Sequence, residues 1–283
     1  MRVIALLAAY NEERFIAGCI ERLRSQGLES YLIDNCSTDR TVSIAERYLN
    51  KGLVGIENFP RNGIRSWRPL LERKEYLASV LDADWFMHSD PDEVRLSHRS
   101  DLTLAAALAK ADSAGYNAVN FQEFTFIPTR EAPDHDHPDY EKSMRHYYAF
   151  SPAFPHRLNA WKRQPERVEL AWSGGHLVRF PGLRMYPETF VMRHYLLLSR
   201  PHAVEKWVDQ RFDPAALKAG WHGWRAHIQT ERIKFPSQSE LNYYIDDDHL
   251  DASNPRTHHF GADWVAPESK RNDKAGSLSL DKV

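Results

Sequence analysis

Cysteine is nearly absent from the 283-residue chain, with Cys19 and Cys36 as its two representatives. That excludes a disulfide-stapled fold and a cysteine-built zinc centre, and it agrees with a reducing compartment. Both read as small packed side chains. Long apolar runs are missing too: those at residues 3–10 and 195–198 fall far short of the roughly 20 residues a membrane-spanning helix requires. Nor is there an excess of positive charge. Thirty-seven Lys and Arg against 39 Asp and Glu leave a net charge of −2, so a nucleic-acid partner is not expected and any bound anion must be held locally. Neither GxGxxG nor GxxxxGK[ST] occurs, which disfavours a dinucleotide fold of the usual kind and a P-loop. The chain enters an apolar run directly at Met1-Arg2-Val3-Ile4-Ala5, without a charged leader and cleavage site. A cytoplasmic location is expected, at most peripheral at the inner face of a membrane.

What is present is an ordinary globular composition, 42% hydrophobic and 27% charged, which excludes a disordered or collagen-like chain. The first hundred residues alternate apolar runs with longer amphipathic ones, the pattern of a parallel sheet covered by helices. Strands are expected at residues 3–9, 31–34, 53–57 and 85–88. Helices are expected at 11–27, stopped by Gly27, at 39–50, capped by Asp39, and at 70–81 after a polar loop at 59–68. A further helix at 102–114 and a long strand at 116–127 follow. Residues 128–140, rich in Pro, Asp and His, read as a mobile loop. Strand pieces near Tyr147, Leu158, Val168 and Val191 come next, then helices near 201–211 and 214–228. Beyond Asp251 apolar periodicity is lost, and a partly disordered tail is expected over 251–283.

In an open α/β sheet, ligands sit outside the carboxyl ends of the strands. Those exits are polar here: Ala9-Tyr10-Asn11-Glu12-Glu13, Asp34-Asn35-Cys36-Ser37-Thr38-Asp39 and Asp90-Pro91-Asp92-Glu93. Asp90 and Asp92, one residue apart at a tight exit, have the chemistry to bind a hard divalent cation through oxygen, with a diphosphate completing its shell. A solvated turn is the plainer reading of the same residues.

Together these segments resemble family 2 glycosyltransferases, nucleotide-sugar enzymes of the GT-A fold. Ala9-Tyr10-Asn11-Glu12 is similar to the family's first-strand exit. Leu32-Ile33-Asp34-Asn35-Cys36-Ser37-Thr38-Asp39-Arg40-Thr41 is similar to its DxSTDxT turn. The spacing from Asn62-Gly63 to Asp90-Pro91-Asp92 is similar to the path leading to its DxD motif. The resemblance is firm over residues 1–100 and looser beyond.

It implies a GT-A-like α/β fold with a nucleotide-sugar-binding region at 1–115 and an acceptor and catalytic region of the same domain at 116–250. It also implies a metal-dependent transfer, with Mn2+ or Mg2+, from a nucleoside-diphosphate sugar, expected to be a UDP-sugar, to a glycan or lipid-linked acceptor, with inversion. Ala9, Tyr10, Glu12 and Asp34 would line the nucleotide pocket. Arg65 or Arg68 would face the diphosphate, Asp90 the ribose or the metal, and Asp92 the metal. Residues 189–206, with His194, Ser199 and Lys206, resemble an HY…S…K segment of bacterial members, which makes His194 the expected third metal ligand.

Inverting transfer needs a group that takes the acceptor's proton. Glu123 is the first candidate, because burial in its strand would raise its pKa, with His176, Glu169 and Glu188 as further candidates. Trp221, Trp224, Tyr147, Tyr148 and Trp172 would form an acceptor platform or, more plainly, core. The ligand-like triplet His135-Asp136-His137 reads as flexible loop. A metal-dependent phosphohydrolase and an inactive glycan-binding scaffold are the competing classes.

Overall fold

The computed structural model describes residues 1–61, 63–218 and 223–265. Strand β1 (Val3–Ala9) is buried at every residue, as a strand covered on both faces must be. Helix α1 (Ile16–Ser25) follows and packs Ile16, Cys19, Ile20 and Leu23 inward. It starts five residues later than its apolar spacing predicts, because Asn11 takes φ 56° and breaks the chain direction before any helix can form. Gly27, at φ 80°, ends it as expected. Strands β2 (Glu29–Asp34), β3 (Leu53–Asn58) and β4 (Trp85–Ser89) alternate with helices α2 (Thr41–Ala45) and α3 (Trp67–Val80). β1 runs parallel to both β2 and β4, and β2 parallel to β3.

The second half extends the same sheet. β5 (Glu93–Leu96), helix α4 (Leu104–Ser113), β6 (Ala118–Phe126), helix α5 (Tyr140–Ser143), β7 (His146–Phe150), β8 (Arg157–Lys162), β9 (Phe190–Tyr195) and the two-residue β10 (Asn242–Tyr243) occur in that order. These strands are paired antiparallel, except that β9 runs parallel to β6. The sheet runs β10-β7-β6-β8-β4-β1-β2-β3, with β9 joining β6 to β5. This is the large mixed sheet flanked by helices expected of a GT-A-like α/β fold. Two apolar clusters sandwich its parallel part: Leu7, Ile20, Leu104 and Leu108 belong to one, Ile4, Leu71, Phe86 and Trp161 to the other.

Several expectations are corrected. No strand forms at Val168, which keeps only the isolated bridge between Glu169 and Arg179. The helix expected at 201–211 is α6 (Arg200–Ala203) continued by one wide π turn, Val204–Val208. The one expected at 214–228 is α7 (Pro214–Lys218) and a 3-10 turn, Gly223–His227, with 219–222 outside the described residues. Within the tail, Phe260, Trp264 and Val265 pack with Trp207, Ile228 and Phe235. Residues 266–283 lie outside the described residues.

Candidate active site

A cleft opens at the carboxyl ends of β1 and β4. Ala9, Tyr10, Asn11 and Glu12 line it from the first exit and Asp90, Pro91 and Asp92 from the fourth, with Asn35, Arg61, Arg65 and Trp67 on one side and His202, Glu205, Lys206 and Gln210 across it. Of the residues expected at the site, Ala9, Tyr10, Glu12, Arg65, Asp90 and Asp92 are thus together.

The first two exits are laced to each other. Asn11 Oδ1 accepts from the Thr38 amide at 2.8 Å, the Asn11 amide donates to Ser37 Oγ at 3.0 Å, and the Glu12 amide donates to Thr41 Oγ1 at 2.8 Å. Asp34 is 2% exposed and does not line the cleft. Its carboxylate accepts from the Ser37 amide at 3.1 and 3.3 Å. It builds the turn, as aspartates do, and Asn35 meets the cleft instead.

The fourth exit is braced from beneath. Glu93 Oε2 accepts from the Asp90 amide at 3.0 Å and from Arg95 Nη2 at 2.7 Å, with both side chains buried. Asp92 lies at the centre. Its Oδ2 accepts from Lys206 Nζ at 2.5 Å and lies 3.4 Å from His194 Nε2. β9 runs between β5 and β6, placing His194 opposite Glu93 on one neighbour and Thr125 on the other. Burial alone would raise the Asp92 pKa, but Lys206 and His194 outweigh it and hold the carboxylate far below its usual range. Burial would likewise lower His194, yet Asp92 and Glu123 raise it to about 9.

Glu123 sits behind His194, fully buried. Its Oε1 accepts from His194 Nδ1 at 2.6 Å and Thr125 Oγ1 at 3.0 Å, and its Oε2 from Arg157 Nη2 at 2.7 Å and Nε at 2.9 Å. Burial pushes its pKa up as the sequence implies, but Arg157 and His194 more than reverse this, leaving it well below the usual carboxylate range. The expectation of an elevated general base is therefore corrected. Glu123 is held as a carboxylate that engages His194 Nδ1 and so orients the ring with Nε2 facing Asp92.

Among the described residues no group of three or more His, Cys, Asp or Glu side chains converges on a metal position. The expected trio Asp90, Asp92 and His194 reduces to a pair, since Asp90 Oδ1 turns toward the buried Lys74 ammonium at 3.9 Å. That oxygen is buried without a hydrogen bond. Lys74 also bonds His88 Nδ1 at 2.8 Å and the Ser89 carbonyl at 3.2 Å, and burial lowers its pKa to about 8. The remaining pair fits a divalent ion: two ligands each about 2.1 Å from one cation are separated by roughly 3 Å. A histidine whose other nitrogen is held by a carboxylate is the usual supporting arrangement.

Arg61 stacks 3.5 Å from the Tyr10 ring and donates to Gln210. Arg65 donates to the Lys206 carbonyl at 3.4 Å. Burial lowers both guanidinium pKa values, and no carboxylate is ion-paired with either among the described residues. Arg68 points away, toward Glu72 at 3.7 Å.

His176 is half-buried and outside the cleft lining, its ring centre 5.1 Å from that of His156. Burial, with Arg157 and His156, keeps it neutral, and its Nδ1 has no hydrogen bond. Its loop meets the cleft wall where Trp67 Nε1 donates to the Gly174 carbonyl at 3.0 Å. Glu169 is paired with Arg179, and Glu188 is exposed. Tyr147 and Tyr148 are core, while Trp224 packs on Trp207 and Trp172 on Arg179. His135 bonds Ser143, and Asp136 pairs with Arg14. Asn62, Trp221 and His222 lie outside the described residues.

Residues 5–66 match the sequence model of the family described as Glycosyl transferase family 2. By sequence, this segment is similar to family 2 glycosyltransferases. The matched segment carries the first two strand exits and the loop bearing Arg61 and Arg65, and stops before Asp90. No curated protein matches the chain. Among solved structures, that of S. aureus TarS 1-349 is similar at a TM-score of 0.40 and 14% identity, over 76% of this chain and 68% of that one. Its complex with UDP-GlcNAc has a TM-score of 0.39 and 14% identity, over 80% of this chain and 72% of that one.

Arg61, His202 and Gln210 join the cleft without a local sequence signal. Arg61 comes from the loop after β3, His202 from α6 and Gln210 from the stretch after the π turn. Ser199 could have flagged His202, since its Oγ caps α6 by accepting from the His202 amide at 3.2 Å. Among the described residues no helix is long and apolar enough to cross a membrane.

Proposed function

We propose that the chain transfers a sugar from a nucleoside-diphosphate sugar, a UDP-sugar, to a glycan or lipid-linked acceptor in surface polysaccharide assembly, with inversion and with Mn2+ or Mg2+. The observation that carries this reading is the cleft itself. It combines a carboxylate and an imidazole facing each other at 3.4 Å with Arg61, Arg65 and Lys206, the complement of a metal diphosphate.

The nucleoside lies against Ala9, Tyr10 and Glu12, with Arg61 stacked on Tyr10 as a platform for the base. Arg65 and Lys206 face the diphosphate. Asp90, which lines the cleft beside Pro91 and Asp92, faces the ribose. Asp92 and His194 would hold the cation beside the diphosphate. When bound, that cation neutralises the departing diphosphate as a Lewis acid.

His176, a neutral imidazole on the loop that meets the cleft wall at Gly174, takes the proton of the attacking hydroxyl in place of Glu123. The acceptor approaches from the 116–250 side of the sheet, past Trp172. The experiment is release of UDP from a panel of UDP-sugars with and without Mn2+. Turnover in wild type that is lost in both D92N and H176A supports the reading, and full turnover in D92N defeats it.

A further inference from the structure

One cation in the cleft stands where a divalent ion would need room. Lys206 lies in the wide π turn Val204–Val208, a local distortion that often marks functional sites. Its ammonium donates to Asp92 Oδ2 at 2.5 Å and to the Leu196 carbonyl at 3.2 Å. Oδ2 is also the oxygen facing His194 Nε2 at 3.4 Å. An ion held by this carboxylate and this imidazole would sit about 2.1 Å from the same oxygen. A divalent ion and an ammonium would then share one oxygen at contact range, where like charges repel strongly.

The protein offers the ammonium a second place. Lys206 lines the cleft together with Arg65 and Arg61. The Leu196 carbonyl anchors it from outside the carboxylate, so a rotation of its side chain exchanges one anion for another.

We propose that Lys206 is an exchange cation: it neutralises Asp92 while the cleft is empty and moves to the donor's diphosphate when the nucleotide binds, so that the divalent ion enters with the nucleotide and not before it. This rests on the reading of the cleft as a metal-diphosphate site. It adds an order of binding, and it guards Asp92 and His194 against metal capture by the free enzyme.

The test is Mn2+ binding measured by loss of the free-ion electron paramagnetic resonance signal, in wild type, K206M and K206R, with and without UDP. K206M is expected to bind Mn2+ alone at least about tenfold more tightly than wild type, since a charge-assisted hydrogen bond no longer competes. It should bind UDP more weakly. K206R, which keeps the charge, should resemble wild type.

Unchanged or weaker Mn2+ binding by K206M without UDP would overturn the proposal. A wild type that takes up no Mn2+ even with UDP would overturn the metal reading beneath it, so the two failures are separable. Should K206M not fold, the nitrogen resonance of the Lys206 ammonium in wild type decides: it is expected to shift on adding UDP without metal, and an unchanged resonance refutes the exchange.

Discussion

Replacing Glu123 with glutamine removes one charge from the most enclosed ionic cluster near the cleft. The carboxylate is fully buried and accepts five hydrogen bonds, two from Arg157 and one each from His156, His194 and Thr125. The Arg157 side chain is 9% exposed, so water cannot take over its charge. Removing one partner of a buried pair costs about 3–5 kcal/mol. At about 2 °C per kcal/mol for a chain of this length, the melting temperature of E123Q should fall by roughly 6–10 °C. Circular dichroism melts and guanidinium titrations measure this. The double variant E123L/R157L supplies the control, because an apolar replacement of a whole buried pair is often neutral. It should be far more stable than the sum of its two single variants. A loss below about 1 kcal/mol in E123Q, or strict additivity in the double variant, would refute the account of this cluster.

Other outcomes follow from the same geometry. D92N should lose turnover on the order of a hundredfold or more in steady-state assays, since it removes the charge at the centre of the site. R65A should weaken UDP binding by about 10- to 100-fold in calorimetry, the loss of one charge-assisted contact. In metal-free protein, His194 titrates near 9 against about 6.5 when unfolded. The fold favours the protonated form, so its contribution is complete below pH 6.5 and fades as pH rises from 6.5 to about 9. Urea titrations across that interval should show a decline in wild type that is shallower in H194Q. G175A should lose about 1–3 kcal/mol by urea titration, because Gly175 sits at φ 92° and an added Cβ would lie 2.9 Å from His88 Nε2.

The parallel core was legible because its strands are continuous apolar runs, and β1 is the clearest of them. What escaped was set by partners distant in sequence. β5 hides in Glu93-Val94-Arg95-Leu96, whose charges look exposed until Glu93 and Arg95 pair in the interior. The stretch after Asp251 looked unstructured because Phe260 and Trp264 contribute single anchors without periodicity. At the site, Asp92 and His194 were readable from motif-like neighbours. Glu123 was correctly singled out as buried, but the sign of its pKa shift depends on Arg157, brought alongside by the pairing of β6 with β8. Asp34 shows the converse: a motif position whose side chain is spent on the Ser37 turn.

The most direct test of the central claim is thermal unfolding of wild type and D92N with Mn2+ crossed with UDP, GDP, CDP and dTDP. A ligand at a hundred times its Kd stabilises the native state by about 2.7 kcal/mol, which is roughly 5 °C here. The account predicts such a shift in wild type with UDP and Mn2+ together, and its loss in D92N. No shift with any nucleotide, or an undiminished one in D92N, would contradict it.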